Sequence, residues 1–413
     1  MRLGYLYSRY PVLSQTFCDA EMLELERRGF DLVIASMYPP KTAIRHEYLA
    51  QLRAPVHYAP EKAELEKLVK TAKRKGRWPE ALIAQHERKY GPDYKAALRA
   101  RNALFFVELF EREGVTHIHV HFANRAAHTA LFVKAISGIP FSITAHGQDF
   151  MTDLGSEELL CEICSGAEFV AAETDYSRDL LASRCPDAAD KMLRVYNGIP
   201  RAKFRRDEHP LVDRRAEARS SAVRLLSVGR LVAFKGFDVL IDACAELRGH
   251  GVEFTCEIIG DGELRDELAA RIDANGLREH IVLSGERSQD YVLDALAACD
   301  VFVLAAKVDD RGASDVFPTV IAEAMTSGKP VVSTTVAGIP ELVAEGESGF
   351  LVPPRNAQAL AGAVARLIAD TALREKMGRT GRARIENQFT IERTIEPLLQ
   401  RFAGINTAPA GRA

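Results

Sequence analysis

The sequence predicts two doubly wound parallel α/β domains of similar size. Apolar runs of strand length alternate with helical patterns along the chain, the arrangement of a parallel sheet covered by helices on both faces. The series is interrupted once, at residues 203–221, a stretch rich in Arg, Asp, Glu and Pro and poor in large apolar side chains. At 413 residues with 47% hydrophobic side chains, the chain is long and apolar enough to fill two separate cores.

The first series opens with a strand at residues 3–7 and an amphipathic helix at 15–28, which Ser14 can cap and Gly29 can end. Further strands are expected at 31–36, 117–122, 140–145, 168–172 and 192–196. Asn197-Gly198-Ile199-Pro200 reads as a turn, and the first domain, 1–200, gives way to a linker at 201–221. The second series then supplies strands at 223–228, 253–259, 281–284, 301–304, 331–333 and 349–352. Two such sheets are expected to turn the carboxyl ends of their strands toward one cleft, so loop residues that follow strands carry most of the functional weight.

With 54 basic against 57 acidic side chains and a net charge of -3, a dedicated nucleic-acid binder is excluded. No stretch approaches the roughly 20 apolar residues of a membrane-spanning helix and the start carries no cleavage signal, so a cytoplasmic protein is expected. The seven cysteines, odd in number and set in apolar segments, read as reduced, buried thiols, and Cys161-x-x-Cys164 lacks the second pair a zinc site needs. One segment, 62–101, is locally basic, with 12 Lys or Arg against 5 Asp or Glu. Leu65, Leu68, Val69 and Ala72 form an apolar helix face there, beside Lys67, Lys70, Lys73, Arg74 and Lys75 and just before Trp78. The two readings are a solvated face on a core-covering helix and a peripheral contact with the inner face of a membrane or an anionic acceptor.

Candidate chemistry gathers in the second series. Arg230 and Lys235 emerge just past the strand at 223–228, where an Arg fork and a mobile Lys charge together can neutralise a diphosphate, while Gly229 and Gly236 let backbone approach closely. Ser314-Asp315-Val316-Phe317-Pro318-Thr319 reads as a loop entering a helix with Pro318 in its first turn. The amides of Phe317 and Thr319 are placed to donate to sugar hydroxyls or phosphate, with Asp315 and Glu323 bracketing a polyhydroxylated ligand. In the first series, His117, His119 and His121 alternate along one strand and share a face. The expected arrangement packs or pairs His117 and His119 and lets His121 reach the cleft; a zinc site is the lesser reading.

The order of these pieces resembles the retaining glycosyltransferases of the GT-B fold that use nucleotide-sugar donors, family four, and in particular the exopolysaccharide and colanic-acid subgroup. The matching residues are Gly229-Arg230-Leu231 with Lys235-Gly236, Ile259-Gly260-Asp261-Gly262, and Glu323-Ala324-Met325-Thr326-Ser327-Gly328-Lys329-Pro330. Asn197-Gly198-Ile199, Gly338-Ile339-Pro340-Glu341 and Gly349-Phe350-Leu351-Val352 belong to the same pattern. The resemblance implies two Rossmann-like domains facing a cleft, a donor-binding domain at 222–385, a helix at 386–403 crossing back to the first domain, and a frayed tail at 404–413.

It further implies that Arg230 and Lys235 hold the diphosphate, that Glu323 holds the ribose, and that Gly260 and Asp261 line the donor site. Asp315, one methylene shorter than the family's usual glutamate, takes the transferred sugar. His146 corresponds to the family's histidine beside the reacting carbon, and the loop bearing Ser14, Gln15 and Thr16 faces the donor phosphate or the acceptor. No Asp-x-Asp occurs in the chain, so the two cations are expected to do without a metal, and no cofactor is expected. The implied activity is that of a retaining hexosyltransferase acting from a UDP- or GDP-sugar on a glycan, lipid-linked or small-molecule hydroxyl. The alternatives are a nucleotide-sugar 2-epimerase and a non-catalytic sugar-nucleotide or polysaccharide binder.

Overall fold

The computed structural model describes residues 2–12, 15–41, 47–150, 156–201 and 222–407. The chain divides into two compact units, Met1–Gly198 with Ile395–Ala413, and Ile199–Thr394.

In the first unit, β1 (Arg2–Arg9), β2 (Asp31–Tyr38), β3 (Val56–Tyr58), β4 (His117–His121), β5 (Phe141–Ala145), β6 (Val170–Ala172) and β7 (Met192–Arg194) form one parallel sheet in the order β3-β2-β1-β4-β5-β6-β7. Strands β4, β5 and β6 are buried along their whole length, as strands covered on both faces must be. The covering helices are α1 (Thr16–Arg27), α2 (Lys62–Arg74), α3 (Glu80–Tyr90), α4 (Ala96–Arg112), α5 (Arg125–Ser137), α6 (Gly147–Phe150), α7 (Glu157–Gly166) and α8 (Asp175–Arg184).

The second unit repeats the plan with six strands. β8 (Val223–Val228), β9 (Phe254–Ile259), β10 (Ile281–Gly285), β11 (Val301–Val303), β12 (Val331–Thr334) and β13 (Gly349–Val352) lie parallel in the order β10-β9-β8-β11-β12-β13. In each sheet the order reverses beside the first strand of the unit, between β1 and β4 and between β8 and β11. That reversal splays the following loops apart and makes the carboxyl ends of these strands the natural place for a ligand. All the strands expected from the sequence are present within a few residues. Strand β3 was not expected: it is three half-buried residues at the sheet edge, too short for an apolar run.

Three local expectations are corrected. Helix α1 begins at Thr16, one residue after Gln15, which makes no side-chain cap; Ser14 lies outside the described residues. Pro318 precedes its helix, which starts at Thr319. Cys161 on α7 and Cys185 at the end of α8, with Cα atoms 4.9 Å apart, form a disulfide, so these two are not free thiols. Helix packing brings them together across 24 residues, which spacing alone does not reveal.

The units part at Gly198/Ile199 and Thr394/Ile395. The reason is a backbone clasp in the second unit: Ile199 N–H donates to Phe389 O at 2.8 Å and Ile391 N–H to Ile199 O at 3.1 Å. The linker residues 202–221 lie outside the described residues, as do 408–413, while the last helix runs Glu396–Thr407. Its Phe402 packs on first-unit rings, 5.7 Å from Phe169 and 5.5 Å from His119.

Candidate functional site

In the second unit the loop after β8 is fixed by backbone alone. Gly229 N–H donates to Ile259 O at 2.9 Å, Leu231 N–H to Asp261 O at 3.0 Å, and Leu264 N–H to Leu231 O at 3.1 Å. Gly260, at φ +140°, leaves so little room that a Cβ would stand 1.9 Å from Gly229 O. Gly236, at φ +68°, approaches the segment after β11 as closely, with a Cβ placed 1.8 Å from Ala305 O. Gly260 therefore holds the two loops in close contact. Asp261 is exposed, and its carboxylate caps its own turn by accepting from Gly262 N–H at 2.8 Å.

This scaffold sets the two expected cations apart. Arg230 is exposed and its side chain, among the described residues, has no hydrogen-bond or ion-pair partner; its guanidinium carbon lies 6.0 Å from the Phe234 ring. Lys235 is largely buried, with Nζ 5.9 Å from the same ring and 2.7 Å from Asp315 Oδ2. The residue expected to grip diphosphate and the residue expected to grip sugar are thus paired with each other. Beside Asp315, the hydroxyl of buried Ser314 has no hydrogen-bond partner among the described residues. Phe317 is buried with its ring 5.9 Å from Phe389, Pro318 and Thr319 open the helix Thr319–Thr326, and Glu323 sits half-buried about one turn further on. The first-turn N–H groups of that helix have no intrahelical acceptors, by the geometry of any helix start.

In the first unit a chain of buried acids and imidazoles runs across the carboxyl ends of the strands. Glu21 Oε1 on α1 is 3.0 Å from His121 Nε2, His121 Nδ1 is 3.0 Å from His146 Nε2, and His146 Nδ1 is 2.6 Å from Glu173 Oε1. Tyr5 donates to Glu21 at 2.7 Å and Asn197 to Glu173 at 2.7 Å. Three bridges need three protons, yet two neutral imidazoles carry only two N–H groups. The surplus proton belongs on His146: burial opposes its charge, but Glu173 beside it raises its pKa. Burial opposes the charge on Glu21 as well, but hydrogen bonds from His121 and Tyr5 hold its carboxyl below the usual carboxylate range. Asp149 moves the other way, pushed up to about 6 by burial while accepting from the N–H groups of His146 and Ala123.

His121, at the carboxyl end of β4, is thus buried and engaged at both ring nitrogens. His146 is likewise enclosed, its ring 4.7 Å from Phe17 and 4.4 Å from Phe122. His117 and His119 share the Ser142 hydroxyl at 2.8 Å each, and burial lowers both to about 3, which keeps them neutral. Glu21, His119 and His121 place their ligand atoms within 4.8 Å of one another, as a metal would require. Tyr5, Thr144 and His146 already satisfy these atoms, which makes the group a complete polar network. Gln15 and Thr16 open α1 at the same end of the sheet.

Glu21 and Glu173 were not singled out from sequence. The signals were present: Glu21 falls on the face of α1 that buries Cys18, Met22 and Leu25, and Glu173 directly follows β6.

Residues 213–384 match the family model described as glycosyl transferases group 1. The second unit belongs to the group 1 glycosyl transferases. The glycosyltransferase is 28% identical to the amylovoran biosynthesis glycosyltransferase AmsK of Erwinia amylovora, over 98% of this chain and all of that one. It is 37% identical to the putative colanic acid biosynthesis glycosyltransferase WcaL of Salmonella typhimurium, over 45% of this chain and 47% of that one. Among solved structures it superposes on Anabaena HepE in complex with UDP with a TM-score of 0.75, at 19% identity over 98% of this chain and all of that one. At that identity the likeness establishes the fold, and the two parallel sheets give this glycosyltransferase the GT-B architecture.

Proposed function

We propose that this glycosyltransferase moves a hexose from a UDP- or GDP-sugar to a hydroxyl acceptor in exopolysaccharide assembly, with retention at the anomeric carbon and without a metal. The observation that carries this reading is the Lys235–Asp315 pair, which joins the loop after β8 to the segment entering the Glu323 helix. A donor diphosphate takes Lys235 from Asp315 and meets Arg230 as a second cation. Asp315, released, accepts from hydroxyls of the sugar, while Glu323 takes the ribose. As the anomeric bond breaks, charge grows on the leaving diphosphate, and each well-placed donor is worth about 3 to 4 kcal/mol there. The departing phosphate takes the acceptor's proton, so no side-chain base is assigned. UDP in the complex with Anabaena HepE, and the biosynthetic roles named for AmsK and WcaL, support the donor class and the setting.

A peripheral membrane contact through α2 belongs to the same proposal. Leu65 and Ala72 are buried within the unit and Leu68 and Val69 are half-buried, so little apolar surface is left for lipid; exposed are Lys67, Lys70, Lys73, Arg74 and Lys75, none within ion-pair distance of a carboxylate among the described residues. Contact would be electrostatic and lost as salt rises.

The deciding experiment screens a panel of UDP- and GDP-sugars for thermal stabilisation and nucleotide release, with chelator present and with and without saccharide acceptors. Stabilisation with acceptor-dependent release and a retained anomer is expected. A strict magnesium requirement overturns the metal-free mechanism, conversion of donor without acceptor points to an epimerase, and stabilisation without turnover points to a binding protein.

A further inference from the structure

At the carboxyl end of the first unit's sheet, apart from the acid–imidazole chain, a second group of side chains converges from four elements. Arg9 ends β1 and Tyr38 ends β2, and the two are register partners with the Arg9 guanidinium carbon 5.3 Å from the Tyr38 ring. Arg99 comes from the first turn of α4, and Arg125 is the first residue of α5.

Arg99 is the anomaly. It is 5% exposed, yet its Nε and one terminal nitrogen, Nη1, are buried without a hydrogen-bond partner. Arginine is almost never buried to this extent unless its charge is paired. The groups facing Arg99 do not pair it. Tyr38 offers a phenol oxygen, His128 is held neutral, its pKa lowered by burial to about 3, and Arg125 is a second cation. Burial and the neighbouring Arg125 both work against the charge on Arg99. Arg125 itself is exposed and, among the described residues, has no ion-pair partner. Arg99 feels the charge of Arg125, and neither guanidinium has a carboxylate partner among the described residues at this end of the sheet, where ligands bind.

We propose that Arg99 and Arg125 bind a phosphate-type oxyanion beside the ends of β2 and β4, and that this anion is a phosphate carried by the acceptor. The second half of the statement rests on the glycosyl-transfer reading; the first half does not. A tetrahedral oxyanion supplies several acceptor lone pairs to guanidinium donors whose planar fork suits it, and its negative charge removes the repulsion between the two arginines. Tyr38 fixes one side of Arg99, and Arg125 closes on the anion from solvent.

The test uses the full chain and inorganic phosphate as probe, with arginine-labelled protein followed by NMR at the guanidinium Nε–H resonances. Saturable binding that moves the Arg99 resonance is expected, weakened about tenfold to a hundredfold in Arg99→Gln and by about tenfold in Arg125→Gln. Because Arg99 is buried, Arg125→Gln, a surface change, keeps the test decisive if Arg99→Gln fails to fold. Phosphate binding that is absent in the wild type, or equal in wild type and Arg125→Gln, overturns the site.

The second arm compares matched saccharide acceptors with and without a phosphate. A kcat/KM preference for the phosphorylated acceptor, reduced about tenfold by Arg125→Gln, supports the assignment. Phosphate binding with no such preference assigns the site to free phosphate and overturns the acceptor half. A chain that transfers sugar to no acceptor refutes the reaction, while the phosphate titration still decides the site.

Discussion

Lys235→Ala removes one member of a largely buried ion pair, and its cost can be worked from the geometry. At the 2.7 Å separation of Lys235 Nζ and Asp315 Oδ2, with an effective dielectric of about 20, the Coulomb attraction is about 6 kcal/mol. Desolvation of both ions offsets much of this, since the side chains are only 13% and 15% exposed. Truncating one partner leaves the other charge buried and unpaired, and such changes cost about 3 to 5 kcal/mol. Urea denaturation of the full chain, following the second unit's transition, should show a loss of about 3 kcal/mol for Lys235→Ala. The double variant Lys235→Ala/Asp315→Ala should recover part of it, because no orphan charge remains. Turnover behaves differently: both the single and the double variant should lose a hundredfold or more, since donor diphosphate has lost its buried cation. A single variant as stable as wild type would refute the pairing, and near-normal turnover in either variant would remove Lys235 from the mechanism.

Arg230→Ala should leave the urea midpoint within about 0.5 kcal/mol of wild type, because the side chain is exposed and unpaired, yet lower kcat/KM for donor by about a hundredfold; parallel stability and activity curves check both halves. Gly260→Ala should cost about 3 kcal/mol, combining the approach to Gly229 O with a backbone angle side chains avoid, whereas Gly249→Ala, which meets nothing within 4 Å, should be near neutral in the same denaturation series. Asp149 predicts a pH effect of definite sign: a carboxyl raised from 3.8 to about 6 favours folding while protonated, so its contribution is present below 3.8 and lost as pH rises through 6. The loss is at most about 3 kcal/mol. Asp149→Asn keeps an oxygen for the two amide bonds and should flatten the stability–pH curve over that interval, and an unchanged slope would show that Asp149 is already ionised.

Strands and loops were legible in the sequence because a parallel strand covered on both faces is apolar, as β6 and β11 are throughout, and because Gly236 and Gly260 mark places where only glycine fits. The Lys235 and Asp315 positions were legible as residues that follow strands or enter a helix. Their mutual pairing was not, since 80 residues separate them and either could meet water instead. The edge strand β3 was hidden by its shortness, and the Cys161–Cys185 disulfide by a helix packing that no spacing encodes.

What the sequence by itself determined is local: which segments are strands or helices, where glycine is obligatory, and which cations and acids stand near strand ends. That information lies in periodicity and in backbone restrictions acting over a few residues. Only the tertiary structure decided which charges meet. It linked Glu21, His121, His146 and Glu173 into one proton-counting chain and left Arg99 enclosed without an acid among the described residues. The physical reason is that hydrogen bonds and charge pairing act over a few ångströms in space, whatever the separation along the chain, and burial makes each such meeting or omission count.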